Sequence, residues 1–159
     1  MSKKFCCVTG HRKLPDAQAA EIRRALQKEI EAAVADGYFC FFTGFAEGVD
    51  QYFAQIVLEM KKSDPRLCLY AAIPYLARHT ALQKNAHTKA MLDACTGITV
   101  IQDVYFPNVY AKRNRYMVEH SSRVIAVYDG RGTGGTANTV RLARRLGKDL
   151  HEIPIPSAS

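Results

Sequence analysis

The chain has 159 residues, the length of one ordinary domain that buries about 70% of its unfolded surface. With 48% hydrophobic and 23% charged residues, the composition is that of a folded globule and excludes a disordered or low-complexity chain. Lys and Arg number 22 against 15 Asp and Glu, a net charge of +7, but the excess is shared by both halves, which excludes a basic tail appended to a neutral domain.

Two signals alternate along the chain. Short apolar runs rich in β-branched and aromatic residues predict strands at Phe5–Thr9, Tyr38–Thr43, Leu67–Ile73, Ile98–Ile101 and Val124–Tyr128, with a weaker one at Leu150–Ile155. Helical periodicity fills the gaps. Asp16 is positioned to cap a helix running to Asp36, with Ile22, Leu26, Ile30 and Ala33–Val34 on one stripe and Gly37 as its stop. A second helix carries Val49, Phe53, Ile56–Val57 and Met60, and a third, with a thinner pattern, spans residues 79–95. Lys112–His120 and Thr136–Leu146 complete the set; the last turns Val140, Ala143 and Leu146 inward and Arg141, Arg144 and Arg145 outward. Strand–helix alternation at this spacing predicts a single α/β domain over residues 1–159: a Rossmann-like, doubly wound, mainly parallel sheet with helices on both faces.

No uncharged apolar run approaches the ~20 residues that span a bilayer, and no secretory apolar segment follows the basic N-terminus. Five cysteines form no C-x-x-C motif, the histidines lack metal-ligand spacing, and reduced thiols without a metal are expected. These features predict a cytoplasmic protein with no membrane partner and no required cofactor.

Ligands of parallel sheets bind beyond the carboxyl ends of the strands, and three of those ends carry unusual residues. The first is Gly10-His11-Arg12, where Gly10 permits a sharp turn and His11 and Arg12 project at the sheet edge. The second is Thr43-Gly-Phe-Ala-Glu-Gly-Val-Asp50, in which Gly44 and Gly48 can expose backbone amides to an anion at a helix start. Glu47 would repel a phosphate and suits ribose hydroxyls or a base role, while Asp50 reads first as a cap. The third, Asp129-Gly-Arg-Gly-Thr-Gly-Gly-Thr136, places four glycines in six residues before a helix, with Gly134, Gly135, Thr133 and Thr136 suited to phosphate oxygens. The Gly44–Asp50 loop does not have G-x-G-x-x-G spacing, and the Asp129–Thr136 loop is not a Walker A motif, since no Gly-Lys-Ser/Thr follows. Arg113 and Arg115 are two residues apart and cannot share a helix face, so one can enter the site beside Asn114.

Gly10-His11-Arg12, Thr43–Asp50, Arg113-Asn-Arg-Tyr-Met-Val118, Ile125–Asp129 and Gly134-Gly-Thr136, in this order over nearly the whole chain, resemble the YpsA-like branch of the SLOG superfamily. The resemblance implies a Rossmann-like domain whose glycine loops form a pocket for a nucleotide or nucleotide-derived ligand, as in a sensor. Gly44, Gly48, Gly134, Gly135 and Thr136 would meet phosphates, Arg113 would clamp them, and Glu47, Asn114 and Asp129 would recognise sugar or base. The resemblance extends to the DNA-processing relative DprA, through Gly44–Asp50 and Arg113–Arg115, and implies single-stranded nucleic-acid binding through Lys112, Arg113, Arg115 and Arg141–Arg145, with Tyr105, Phe106, Tyr110 and Tyr116 available for stacking. It also extends to the lonely-guy phosphoribohydrolases, which cleave nucleoside monophosphates. Their catalytic Glu would fall at Thr139, so only Glu47 or Glu119 could substitute. Related folds pair subunits, and a homodimer is the matching expectation.

Overall fold

Strands that are apolar on both faces need cover from both sides, and the apolar runs satisfy this by forming one parallel sheet between two helical layers. The computed structural model describes residues 3–155. Its elements are β1 (Phe5–Gly10), α1 (Asp16–Ala35), β2 (Cys40–Thr43), α2 (Val49–Lys61), β3 (Cys68–Tyr75), α3 (Leu76–Lys84), α4 (Ala86–Asp93), β4 (Gly97–Gln102), α5 (Val109–Glu119), β5 (Arg123–Tyr128), α6 (Gly135–Arg145) and β6 (Asp149–Pro154). All strand pairs are parallel, in the order β4-β3-β2-β1-β5-β6. This is the expected Rossmann-like α/β architecture.

Alternate residues of each strand enter opposite layers. Cys6, Val8, Phe41, Leu69 and Ile73 pack with α1, α2, α3 and α4. Cys7, Phe42, Ala72 and Val124 pack with α5 and α6 through Met117, Val118, Leu142 and Ala143. The α1 stripe of Ile22, Leu26, Ile30 and Ala33 is buried as its spacing predicts, and Gly37 stops the helix at a φ of 93° that glycine adopts readily. The five cysteines are free, and burial pushes Cys7 up to about 12, as it does Cys95, so neither is an active thiolate at neutral pH.

Four local expectations are corrected. Residues 79–95 are two helices, because the Asn85 side chain accepts from the amides of His87 (2.9 Å) and Thr88 (3.2 Å) and so caps a new helix in mid-segment. Asp16 is the first helical residue and makes no cap; Pro15 holds the capping position, and Asp16 acts only on the helix dipole. Tyr38 precedes β2 rather than opening it, its ring covered by Arg123 at 4.7 Å. Leu146 lies just past α6 and is exposed.

The chain winds outward from β1 to β4, then returns through α5 to lay β5 on the other side of β1. That reversal creates a crevice between the carboxyl ends of β1 and β5, where Gly10 pairs with Val127. The opposite end of the same two strands is sealed by charge. Arg123 is buried at the start of β5 and donates to Asp149 (2.9 Å) and Asp36 (2.7 Å). Burial works against ionised Asp149, but hydrogen bonds from His151 and Arg123 outweigh it and hold the carboxyl below its ordinary value.

Arg123→Met removes the guanidinium from both carboxylates, leaving Asp149 its contact with His151, and is expected to cost about 2 kcal/mol at pH 7, less than a fully enclosed pair because both partners reach solvent. A carboxyl with a depressed folded pKa stabilises above its unfolded value and loses that contribution as pH falls, so the gap between wild type and variant shrinks below about pH 4. Urea unfolding at pH 7 and pH 3 measures both effects; an equal gap at the two pH values would remove the carboxylates from the explanation.

Candidate functional site

The crevice at the strand reversal is a cleft of about 280 Å³, lined by the end of β1, the start of α6, and Asp50, Tyr110, Arg113 and Arg131. Of the residues singled out in the sequence, Gly10, His11, Arg12, Asp50, Arg113, Asn114, Gly134, Gly135 and Thr136 line it. Gly44 and Glu47 line an adjoining recess instead.

Two glycine loops reach this region, and the structure separates their purposes. A Cβ on Gly44 would lie 2.4 Å from Nη1 of Arg113, and one on Gly48 would lie 2.5 Å from the carbonyl oxygen of Arg12. Gly10 is equally tight against Val49, at 2.6 Å. These glycines let protein pack on protein. In the loop after β5, a Cβ on Gly130, Gly132 or Gly134 would meet nothing within 4 Å, and one on Gly135 would only touch Nδ2 of Asn114. Of these, Gly134 and Gly135 line the cleft, and the backbone is open there.

The helix termini differ in the same sense. The amino end of α2 already has a carboxylate beside it, since Asp50 is buried in the first turn and its Oδ2 accepts from the amide of Ala46 at 3.2 Å. Asp50 therefore braces the loop rather than capping the helix. The amino end of α6 has no acidic residue in its first turn and no side-chain cap, and its first backbone bond runs from Asn138 N to Gly134 O. Its leading amides and the positive end of the helix dipole are free for an anion.

Arg113, on α5, faces that terminus. It is 5% exposed, donates from Nη1 to Gly44 O (2.8 Å) and from Nε to Asn114 Oδ1 (2.8 Å), and among the described residues has no carboxylate in ion-pair contact. Burial pushes its pKa down and Asp50 opposes the shift; for Asp50, burial pushes the carboxyl up and Arg113 opposes. Each charge thus moderates the cost of burying the other. His11 is held in its neutral direction chiefly by burial, with Asp129 opposing; its Nε2 lies 3.4 Å from Asp129 Oδ1, without hydrogen-bond geometry.

Asp129 lies beside the cleft rather than in its lining. Hydrogen bonds from Arg131 hold its carboxylate well below the ordinary range, the Nε bond to Oδ2 measuring 2.8 Å. Glu119 ends α5, exposed and outside the lining of the cleft, which removes it from the set brought together here. Thr139, where a phosphoribohydrolase carboxylate would fall, is buried and donates from Oγ1 to Gly135 O at 2.8 Å. Among the described residues, no group of three or more His, Cys, Asp or Glu is arranged to hold a metal ion. Tyr75, Arg78 and Arg131 are lining residues with polar side-chain groups that the sequence reading did not select. Arg78 sits three residues beyond the end of β3, so the strand-end rule applied to that strand identifies it.

Six parallel strands with their reversal at β1 and β5, and a cleft at that point, define a Rossmann-like α/β protein. A model of the YpsA family, described as the YspA SLOG family, matches residues 6–153, and the chain belongs to that family. The uncharacterized SPbeta prophage-derived protein YoqJ of Bacillus subtilis (strain 168) is 30% identical over 155 residues, covering 87% of this chain and 85% of that one. A UPF0398 protein of Ligilactobacillus salivarius (strain UCC118) is 26% identical over 140 residues, covering 81% and 76%. Among solved structures, TM1055 superposes with a TM-score of 0.60 at 18% identity, over 92% of this chain and 72% of its own. DNA processing protein A from Helicobacter pylori, described for its single-stranded DNA binding mode, superposes with a TM-score of 0.64 at 18% identity, over 95% of this chain and 65% of its own. At that identity the two structures share the fold. Among the described residues no helix is long and apolar enough to cross a membrane.

The contrast between the glycine loops is testable by adding one methyl group. Gly44→Ala must displace the Arg113 guanidinium and is expected to destabilise by about 1–3 kcal/mol, whereas Gly132→Ala has open space and is expected to stay within about 0.5 kcal/mol of wild type. Thermal or urea unfolding measures the difference; equal losses would show that Gly44 is not held by Arg113.

Proposed function

We propose that the chain binds a nucleotide or nucleotide-derived ligand in the cleft at the strand reversal. One observation carries the reading: the uncapped amino end of α6 faces Arg113, a buried guanidinium without a carboxylate in ion-pair contact among the described residues. A phosphate seated there would accept from the amides of Gly135 and Thr136 and from the Thr136 hydroxyl, with Arg113 and Arg131 as charged donors. Asn114 lines the same cleft, with Oδ1 held by Arg113 and its amide left for sugar or base. Glu47, in the adjoining recess, is suited to ribose hydroxyls. The glycines after β5 admit a ligand against the backbone, which supports a phosphate more than a bulky apolar group. Catalysis is no part of this reading: Thr139 offers no carboxylate, Asp50 is committed to the Ala46 amide, and Glu47 is exposed.

Calorimetric titration of common nucleotides into wild type, Arg131→Ala and Thr136→Val tests the assignment without emptying the buried Arg113 position. Each variant is expected to lose about tenfold in affinity, the value of one hydrogen bond to a charged group. Wild-type affinity retained in both variants would move the phosphate elsewhere.

A second reading, single-stranded nucleic-acid binding, is supported by a groove between α5 and α6 of about 420 Å³, lined by Lys112, Arg115 and Arg145 and by no carboxylate. The other cations proposed for this role are engaged: Arg141 donates to Gly132 O at 2.9 Å, Arg144 pairs with Glu152 at 2.6 Å, and Arg113 is buried. Labelled oligonucleotide titrated across salt concentrations is expected to show a log–log slope of about −0.7 per phosphate contacted, reduced in Lys112→Ala/Arg115→Ala. No binding at low salt would end this reading.

A further inference from the structure

Beside the main cleft, at the carboxyl ends of β2 and β3, lies a second recess of about 210 Å³. Arg12, Tyr110 and Arg113 line both spaces, and Arg78, Tyr75 and Glu47 line the recess alone. Three guanidiniums thus converge on a small volume. Among the described residues none of the three has an ion pair with a carboxylate. Their partners are neutral: Arg12 lies 4.7 Å from the centre of the Tyr110 ring, Arg78 donates from Nη2 to Phe45 O at 3.3 Å, and Arg113 donates to Gly44 O. Against them stand two carboxylates: Glu47, exposed in the recess and likewise in no ion pair, and Asp50, buried in the main cleft, whose field reaches Arg113 and Arg12.

A hydrogen bond to the loop after β2 holds Arg78 in this place. Phe45 is fully buried at a φ of 57°, a left-handed conformation uncommon for a residue with a side chain. Its carbonyl, turned by that conformation, accepts from Arg78 and also from Gln51 at 3.3 Å. The crowding has an electrostatic signature as well: burial and then Arg12 and Arg78 push Arg113 below its ordinary pKa, with Asp50 opposing. An anion entering the recess would relieve that repulsion.

We propose that the recess seats a second anionic group of the same ligand, so that the site selects nucleotides phosphorylated at two separated places, nucleoside bisphosphates, over nucleoside monophosphates. The inference rests on the nucleotide reading of the main cleft. Separation follows from the walls: Arg12, Tyr110 and Arg113 line both spaces and stand between them, while the Thr133–Thr136 loop borders only the cleft and Arg78 only the recess. Phosphates joined through the nucleoside reach the two spaces from either side of that wall, whereas the adjacent phosphates of a diphosphate fall within one of them. Tyr110, between the two spaces and flanked by Arg12 and by Arg113 (5.8 Å), offers a ring face to the part of the ligand that joins its phosphates.

Isothermal titration calorimetry with the 5′-monophosphates, 3′,5′-bisphosphates and 5′-diphosphates of the common nucleosides tests the proposal, using wild type and Arg78→Gln, with melting curves to confirm that the partly exposed substitution folds. Wild type is expected to bind a 3′,5′-bisphosphate at least about tenfold more tightly than the matching 5′-monophosphate, and Arg78→Gln to lower the bisphosphate affinity at least about fivefold more than that of the monophosphate. Absence of that preference in wild type, or its survival in Arg78→Gln, overturns the second seat and leaves the nucleotide reading standing. An Arg78-dependent gain for the 5′-diphosphate alone overturns the separation. If no nucleotide of any kind binds wild type, the nucleotide reading falls, and this inference falls with it.

Discussion

The site is organised around a charge that the fold has taken out of water. Arg113 comes from α5, on one face of the sheet, and its guanidinium lies on Gly44, in the loop that leads to α2 on the other face. A buried guanidinium without a carboxylate in direct contact is costly unless its hydrogen bonds are made and its field is moderated. Gly44 O and Asn114 Oδ1 supply the first condition, and Asp50 supplies the second through the cleft. The loop geometry follows from that demand. Gly44 must lack a side chain to admit the guanidinium, and Asp50 must hold the Ala46 amide to keep the loop closed around it.

This arrangement divides the labour between two loops that look alike in composition. Both are glycine-rich, both follow a strand, and both open a helix. At α2 the helix dipole is answered within the chain by Asp50, and the glycines serve close packing. At α6 the dipole is left unanswered, and the glycines leave the backbone bare toward the cleft. An unanswered helix terminus beside a fixed cation would select an anion more sharply than two equivalent termini, because only one orientation of a phosphate would satisfy both partners.

Much of this was legible in the residues. The strand runs and the α1 and α2 stripes are long, periodic signals that survive in the structure, and the sheet order follows the usual winding of such alternation. Arg113 and Asn114 were identifiable from the Arg-Asn-Arg segment, whose two arginines cannot share a helix face, and the loop at Gly134–Thr136 from its place after a strand, where parallel sheets carry ligand sites. What escaped depends on side chains meeting across the fold. Asn85 caps a helix only because its local backbone leaves the helix there, and a thin apolar pattern hides the break. Gly44 reads as a phosphate contact until the guanidinium that covers it, 69 residues away in sequence, is placed upon it. Arg78 lies on a helix of weak amphipathic pattern, with nothing local to mark it off from a solvated cation.

The net charge of +7 acquires its meaning from placement rather than from number. Arg66, Arg123, Arg131 and Arg144 are each matched to a nearby carboxylate, as are Lys62 and Lys89. Arg12, Arg78 and Arg113 are not, and they line one continuous set of walls around Tyr110. Paired surface charges contribute little field at a distance, because each is nearly cancelled by its neighbour and the remainder is screened within about 8–10 Å. Unpaired charges in a concave, partly dry recess act at much greater strength. Around the cleft and recess the field is therefore set by these three guanidiniums, which the fold brings together at one end of the sheet.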